Sequence, residues 1–366
     1  MGVRQLSERP LRTERVSEYD VEIKAMLDAR QTTIKVVGCG GGGGNTITRL
    51  MQVGITGAET IALNTDAMDL LNTEADKKLV IGRDLTQGLG AGANPQVGME
   101  AAKESKEEIK KFLQGADMVF ITCGLGGGTG TGSAPVVADI AKKMGALTVA
   151  IVTLPFAMEG RSRLVNAREG LKNLDGVVDT LIVIPNDKLL EIVPDVSIVT
   201  AFKVADEILV NAVKGITELV TKPGLVNLDF ADVRAIMKEG GLAMIGMGES
   251  NSENKAFESV ERALNNPLLA VDVNGAGGAL INVIGGPDIT IREAQQIAET
   301  ISSKLSPEAK IIWGVQVDKA LGDGVRTLIV VTGVKSPQIF SPDRPWEKQK
   351  KKDIEKILGV DFVDVQ

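Results

Sequence analysis

Residues 120–135 read "FITCGLGGGTGTGSAP". An apolar run from Met118 to Thr122 enters a glycine-rich loop, which leads through Pro135 into an apolar segment with helical spacing. Strand, glycine loop and helix in that order bring bare backbone N–H groups and the positive end of a helix onto an anion. A second such loop, "VVGCGGGGGNTI", lies at 36–47, and a third, "GLGAGANP", at 88–95. Around them the pattern predicts strands over 33–37, 60–63, 79–81, 118–122, 147–152 and 180–184. Helices are expected between them, for example over 46–53, 97–112 and 135–144. This alternation predicts a Rossmann-like doubly wound α/β domain with a mostly parallel sheet and right-handed crossovers. With strands in the order 3-2-1-4-5-6, the first and fourth strands are neighbours, and the loops at 36–47 and 120–135 open onto one crevice.

A long helix is expected next, over 196–221. Phe202, Ala205, Leu209, Ala212, Ile216 and Leu219 share one face, while Val204, Ile208, Val213 and Val220 make much of the remaining circumference apolar. Burial on several sides suits a spine between two domains. Downstream, 277–286, 309–318 and 325–334 read as strands and 289–305 as a helix opened by a Thr290–Glu293 capping box. These predict a smaller α+β domain with a mixed sheet. The expected division is an N-terminal extension (1–30, helical over 16–30), a nucleotide domain (31–195), the central helix (196–222), the α+β domain (223–335) and a tail (336–366).

Composition narrows the chemistry. The chain has 366 residues, 43% hydrophobic but only 3% aromatic, so its cores must be aliphatic. A formal charge of −7 argues against nucleic acid or an anionic membrane surface as partner. The basic run Lys348–Lys352 reads as a solvated part of the tail. Cys39 and Cys123 are the only cysteines, too few for a disulfide framework, which suits a reducing compartment. No stretch of 18 uninterrupted apolar residues occurs, and the charges from Arg4 onward do not suit a secretion signal. With no histidine, a Ser-His-Asp triad and a histidine base are excluded. Chemistry must come from carboxylates, backbone amides, Lys or Arg, and a bound cation.

The loop at 36–47 contains Gly38-x-Gly40-x-x-Gly43, and Asp66 follows the second strand, a pattern that fits a dinucleotide and hence an NAD-dependent oxidoreductase. Three glycine loops, at 36–47, 88–95 and 120–135, the last with hydroxyls at Thr129, Thr131 and Ser133, suit a triphosphate instead. No Gly-Lys-[Ser/Thr] of a Walker A loop is present there.

"GGGTGTGSAP" at 126–135 closely resembles the tubulin-type signature loop. Together with "GGGGGN" (40–45), "NTD" (64–66), "GLGAGANP" (88–95), "IPNDKLL" (184–190) and "NLDFADV" (227–233), it makes residues 34–334 similar to the FtsZ family of tubulin-like cell-division GTPases. That resemblance implies GTP and GDP as ligands, with Mg²⁺ held mainly through the phosphates. It implies phosphate contacts at Gly41, Gly42, Gly43, Gly44 and Asn45. It implies a loop wrapped around the phosphates at Gly126, Gly127, Gly128, Thr129, Gly130 and Thr131. Glu159 and Arg163 match residues near the ribose, and Asn186 and Asp206 match residues that read guanine. Phe202 reads either as core packing or as a stacking platform for the base.

Asn227, Asp229 and Asp232 match the family's water- and cation-orienting residues. Taken alone, Asp229 reads as a helix cap. The pair follows the central helix, about 35 Å from its start if 196–221 is continuous. The resemblance implies that these acids reach the nucleotide of the next subunit in a head-to-tail filament. It also implies a cytoplasmic protein at the mid-cell division ring, with a membrane tether or division regulators as further partners. A tubulin-like polymer with little hydrolysis is the alternative within the superfamily. The closing stretch "GVDFVDVQ" departs from the bacterial tail peptide.

Overall fold

The computed structural model describes residues 32–192, 197–222, 224–226, 228–269 and 276–334. The expectations for the N-terminal extension, the tail and Asn227 lie outside these residues.

The strands are β1 Ile34–Cys39, β2 Ala58–Asn64, β3 Lys77–Val80, β4 Met118–Gly124, β5 Leu147–Leu154, β6 Thr180–Pro185, β7 Gly241–Ser250, β8 Gly278–Gly285, β9 Lys310–Val317 and β10 Val325–Thr332. The helices are α1 Gly40–Val53, α2 Ala67–Asn72, α3 Arg83–Thr86, α4 Pro95–Glu104, α5 Lys106–Leu113, α6 Thr129–Lys143, α7 Arg161–Asp175, α8 Asn186–Ile192, α9 Ile198–Thr221, α10 Phe230–Met237, α11 Lys255–Leu264 and α12 Ile291–Ser302.

The strands form one sheet in the order β3-β2-β1-β4-β5-β6-β7-β10-β8-β9. Its first six strands are parallel and take the doubly wound order expected from the sequence. Strands β1 and β4 are buried on both faces, as near-continuous apolar runs require. The second part is mixed: β10 runs antiparallel to β7 and β8, and β9 runs parallel to β8. Strand β7 and helix α11 were not foreseen; "GLAMIGMGES" carries three glycines within an otherwise apolar stretch and offers no clean period. Three residue pairs, Thr180↔Gly241 to Ile182↔Ala243, join β6 to β7 and make the two parts of the sheet continuous.

Helix α9 buries several sides of itself, as its sequence predicted. Ala205, Leu209, Ala212, Val213 and Ile216 pack in a cluster with Ile47 and Leu50 of α1, Ile151 of β5, and Leu280 and Leu328 of β8 and β10. It therefore draws apolar area from both parts of the sheet, and each fully buried leucine, isoleucine or valine among these contributes about 1.5–3 kcal/mol. The Thr290–Glu293 capping box is present, with the Glu293 carboxylate accepting from the Thr290 amide at 2.8 Å. The expected helix over 97–112 is divided at Ser105, whose hydroxyl accepts from the Gly82 amide at 3.0 Å.

Candidate functional site

Parallel pairing of β1 with β4, with Gly38 opposite Thr122, sets the carboxyl ends of both strands side by side. Each runs into a helix rather than into a long loop. Helix α1 begins at Gly40, so the glycine run expected as a loop forms the first turns of a helix. Glycine is a poor helix former, and close packing accounts for its presence here. A Cβ on Gly43 would stand 2.6 Å from the Thr122 carbonyl oxygen, and one on Gly40, whose φ is +70°, 2.7 Å from the Gly130 amide. Helix α6 begins at Thr129, ahead of the expected start at Pro135, and carries Pro135 inside it. The first amides of a helix have no partner within it. Two sets of them, and two positive helix ends, thus converge on one place.

The place is a cleft of about 350 Å³. Its walls include Gly41, Gly42, Asn45, Gly127, Gly128, Thr129, Gly130, Glu159, Arg163, Asn186, Phe202 and Asp206. Twelve of the predicted site residues are therefore brought together, from stretches as far apart as Gly41 and Asp206. Cys39, Gly124, Thr153 and Pro155, at or just past the ends of β1, β4 and β5, also line it.

Four of the predicted nucleotide-contacting residues are not on the cleft wall. Gly43 is pressed against Thr122, and Gly44 faces Thr73. Gly126 donates its amide to the Thr131 hydroxyl at 2.9 Å, which ties the loop to itself. Thr131 is fully buried, so its hydroxyl is used in the loop rather than offered to a ligand. Ser133 likewise donates back to the Thr129 carbonyl at 2.6 Å. The third glycine loop does not open onto the cleft; it backs the second. Gly128 packs on Ala91 and Asn94, and Asn166 donates to the carbonyls of both Ala93 and Gly126.

At the other end of the cleft, Asn186 opens α8 with 4% of its surface exposed, and its Oδ1 has no hydrogen-bond partner. An orphaned buried acceptor on a cleft wall is costly unless a donor arrives. Phe202 is 41% exposed and meets Phe156 edge to face, with ring centroids 5.2 Å apart. Its ring is open to the cleft rather than enclosed in a core. One turn along α9, burial pushes the Asp206 carboxyl up to about 6; Glu207 adds to that push and Arg49 opposes it. Glu159 and Arg163 form an ion pair at 2.7 Å.

Asp66, the acid of the dinucleotide reading, is used otherwise. Its carboxylate caps α2 by accepting from the Met68 and Asp69 amides at 2.9 and 3.1 Å. Cys39 and Cys123 are fully buried; burial pushes the Cys39 thiol up to about 12 and Cys123 upward as well, which leaves both unreactive.

Asp229 and Asp232 do not line the cleft. They sit past the far end of α9, whose 24 residues span about 36 Å. There they form a reciprocal capping box on α10: Asp229 accepts from the Asp232 amide at 2.8 Å, and Asp232 accepts from the Asp229 amide at 3.4 Å. A bridge between Val226 and Val315 fastens the preceding segment to β9.

The family model described as "Tubulin/FtsZ family, GTPase domain" matches residues 33–194, and that described as "FtsZ family, C-terminal domain" matches residues 241–335. "Cell division protein FtsZ 1" of Thermococcus kodakarensis is 64% identical over 333 residues, 91% of this chain and 88% of that protein. The chain belongs to the FtsZ family. "Cell division protein FtsZ" of Methanothermobacter thermautotrophicus is 54% identical and is covered over 96% of its length by 98% of this chain. Among solved structures, "FtsZ dimer, empty" from Methanocaldococcus jannaschii superposes with a TM-score of 0.83 at 62% identity, over 87% of this chain and 92% of that one. CetZ2 from Haloferax volcanii, at 21% identity and a TM-score of 0.72, shares the fold. Membership in the FtsZ family makes this a tubulin-like cell-division GTPase, with GTP and GDP as its nucleotides. Among the described residues, no helix is long and apolar enough to cross a membrane.

Proposed function

We propose that this chain binds GTP in the cleft, assembles head to tail into filaments of the cell-division ring, and hydrolyses GTP only where the next subunit supplies Asp229 and Asp232. The observation that carries the reading is a separation. The cleft holds the amides, the orphaned acceptor and the aromatic platform that a guanine nucleotide needs, while the water-orienting acids stand past the far end of α9.

In this reading the amides of Gly41, Gly42 and Gly127 to Gly130, with Asn45 and Thr129, hold the phosphates. Glu159 and Arg163 face the ribose. Asn186 and Asp206 accept from the guanine N1–H and 2-amino groups, and Phe202 stacks on the ring. A base offering an acceptor at that edge, as adenine does, would leave both side chains unpaired, which discriminates far more strongly than a change of size. Gly43, Gly44, Gly126 and Thr131 act behind the wall as packing and loop ties.

Among the described residues there is no group of three or more acidic or cysteine side chains able to hold a metal. A Mg²⁺ ion would rest mainly on phosphate oxygens, which suits its preference for hard oxygen ligands and retained waters. Asp229 and Asp232 order the attacking water from across the subunit contact. Asn227 completes the set by its place in "NLDFADV". A contact between unlike faces that does not close on itself generates an open filament; the dimer of the Methanocaldococcus relative supports self-association. The expected site of action is the cytoplasmic mid-cell ring, through a membrane tether or division regulators. Light scattering recorded with phosphate release tests this. Both should rise together, and cooperatively, with protein concentration after GTP is added; release proportional to concentration without assembly would refute the trans mechanism.

A further inference from the structure

Thr65 follows β2 at the turn into α2 and is completely buried. Its backbone is held firmly, because its carbonyl accepts from the Gly90 amide at 3.1 Å and from the Thr86 hydroxyl at 3.3 Å. Its own hydroxyl lies 2.6 Å from the hydroxyl of Thr129. Among the described residues, that is the sole partner of the Thr65 side chain. Thr129 differs in one respect: it is half-buried, stands at the first position of α6 and lines the cleft.

A hydroxyl carries one hydrogen to donate and two lone pairs. If Thr129 donated to Thr65, the Thr65 hydrogen would be buried with no acceptor, which is the expensive way to bury a hydroxyl. If Thr65 donates to Thr129, every buried hydrogen is used and the Thr129 hydrogen is left for the cleft. Only the second arrangement leaves nothing buried and unshared. Thr129 then meets a ligand as a donor, and the group it fits is an unprotonated phosphoryl oxygen.

We propose that Thr65 is a positioning residue: it fixes the direction of the Thr129 hydroxyl so that Thr129 donates to a phosphoryl oxygen of the bound nucleotide. The inference rests on the reading of the cleft as the nucleotide site. Thr65 does not touch the nucleotide; it acts through a side chain 64 positions away in the chain.

The test measures affinity of the full chain for GDP and for a non-hydrolysable GTP analogue by titration calorimetry, with a melting curve for each variant. Thr65→Val keeps the shape and removes the donor; it should weaken affinity for at least one of the two nucleotides about tenfold, as loss of a hydrogen bond to a charged group does. Thr65→Ser keeps the hydroxyl and should stay within about twofold of wild type, and Thr65→Val should add less than about twofold on a Thr129→Val background. Thr65→Val binding both nucleotides as wild type does would overturn the proposal. So would Thr65→Ser binding as weakly as the valine variant, or full additivity in the double variant. If Thr65→Val shows no cooperative melt, Thr65→Ala removes the same donor with less bulk and carries the same expectations. A wild-type chain that bound neither nucleotide would instead remove the nucleotide reading beneath the proposal.

Discussion

The two ends of helix α9 hold polar groups in opposite conditions. At its amino-terminal end, Asp206 is mostly buried with a raised pKa, Phe202 is propped open by Phe156, and the nearby Asn186 leaves an acceptor unpaired. Beyond its carboxyl-terminal end, Asp229 and Asp232 are solvent-accessible and satisfied by each other's amides. Groups kept buried and unpaired within one chain call for a ligand in that chain. Carboxylates that are content in a cap cost the isolated subunit nothing and stay available to another. The difference favours a binding site that is complete in the monomer and a hydrolytic site that is not.

The most severe way to break that contrast is Asp232→Ala. Phosphate release should fall about 10²-fold or more, as for other lost transition-state contacts, while calorimetric GTP affinity stays within about twofold. Loss of its cap interaction should cost about 0.5–2 kcal/mol in a denaturant melt, so folding can be scored separately. Unchanged release would refute the assignment of the acid.

At the opposite end, Asp206→Asn should lower GTP affinity about 10–100-fold, the range for a hydrogen bond to a charged group, and narrow the preference for GTP over ATP in competition binding. Equal loss for both nucleotides would place Asp206 outside base recognition. The pH dependence sharpens the same point. With its pKa raised to about 6, Asp206 loses its charge as pH falls through that value, and with it the ability to accept from guanine. GTP affinity should be about tenfold weaker at pH 5 than above pH 7, one pKa unit being a factor of ten. In the Asn variant that step should disappear. Without nucleotide, the sign for stability is opposite to that of a salt-bridged acid. The folded chain holds this proton more tightly than the unfolded chain, so the Asp206 contribution to stability falls as pH rises from about 4 to about 6.

The smallest effects separate wall from packing. Gly132→Ala would set a Cβ 2.0 Å from the Pro95 carbonyl oxygen and should cost about 1–3 kcal/mol of stability as overpacking. A Cβ on Gly127, which lines the cleft, meets nothing within 4 Å. Gly127→Ala should therefore leave unfolding within about 0.5 kcal/mol of wild type and register in nucleotide affinity alone.

The parallel part of the fold was legible because its signals are local. Apolar runs of four to eight residues bounded by glycine identify buried strands, and the order 3-2-1-4-5-6 follows from how such units wind. The beginnings of α1 and α6 were misread as loops because glycine's poor helix propensity was overridden by packing of Gly43 on Thr122 and Gly130 on Cys39. Strand β7, and the three-pair seam that joins it to β6, depend on contacts about 60 residues apart and leave no period to read. In the site, residue types were legible but employment was not: Thr129 and Thr131 look alike in "GGGTGTG", yet one faces the cleft and the other ties Gly126.

By itself, the sequence determined which chemistry this protein has to work with. It has glycine amides at strand ends, an amide at Asn186 and a carboxylate at Asp206, two aspartates three positions apart, and no histidine. These follow from residue identity and short-range spacing. The tertiary structure alone decided which of those groups are free. Asn186 Oδ1 is left without a partner, the Thr131 hydroxyl is consumed, and Thr65 is brought against Thr129. Whether a polar group is free depends on what the fold sets beside it, and those neighbours come from distant parts of the chain.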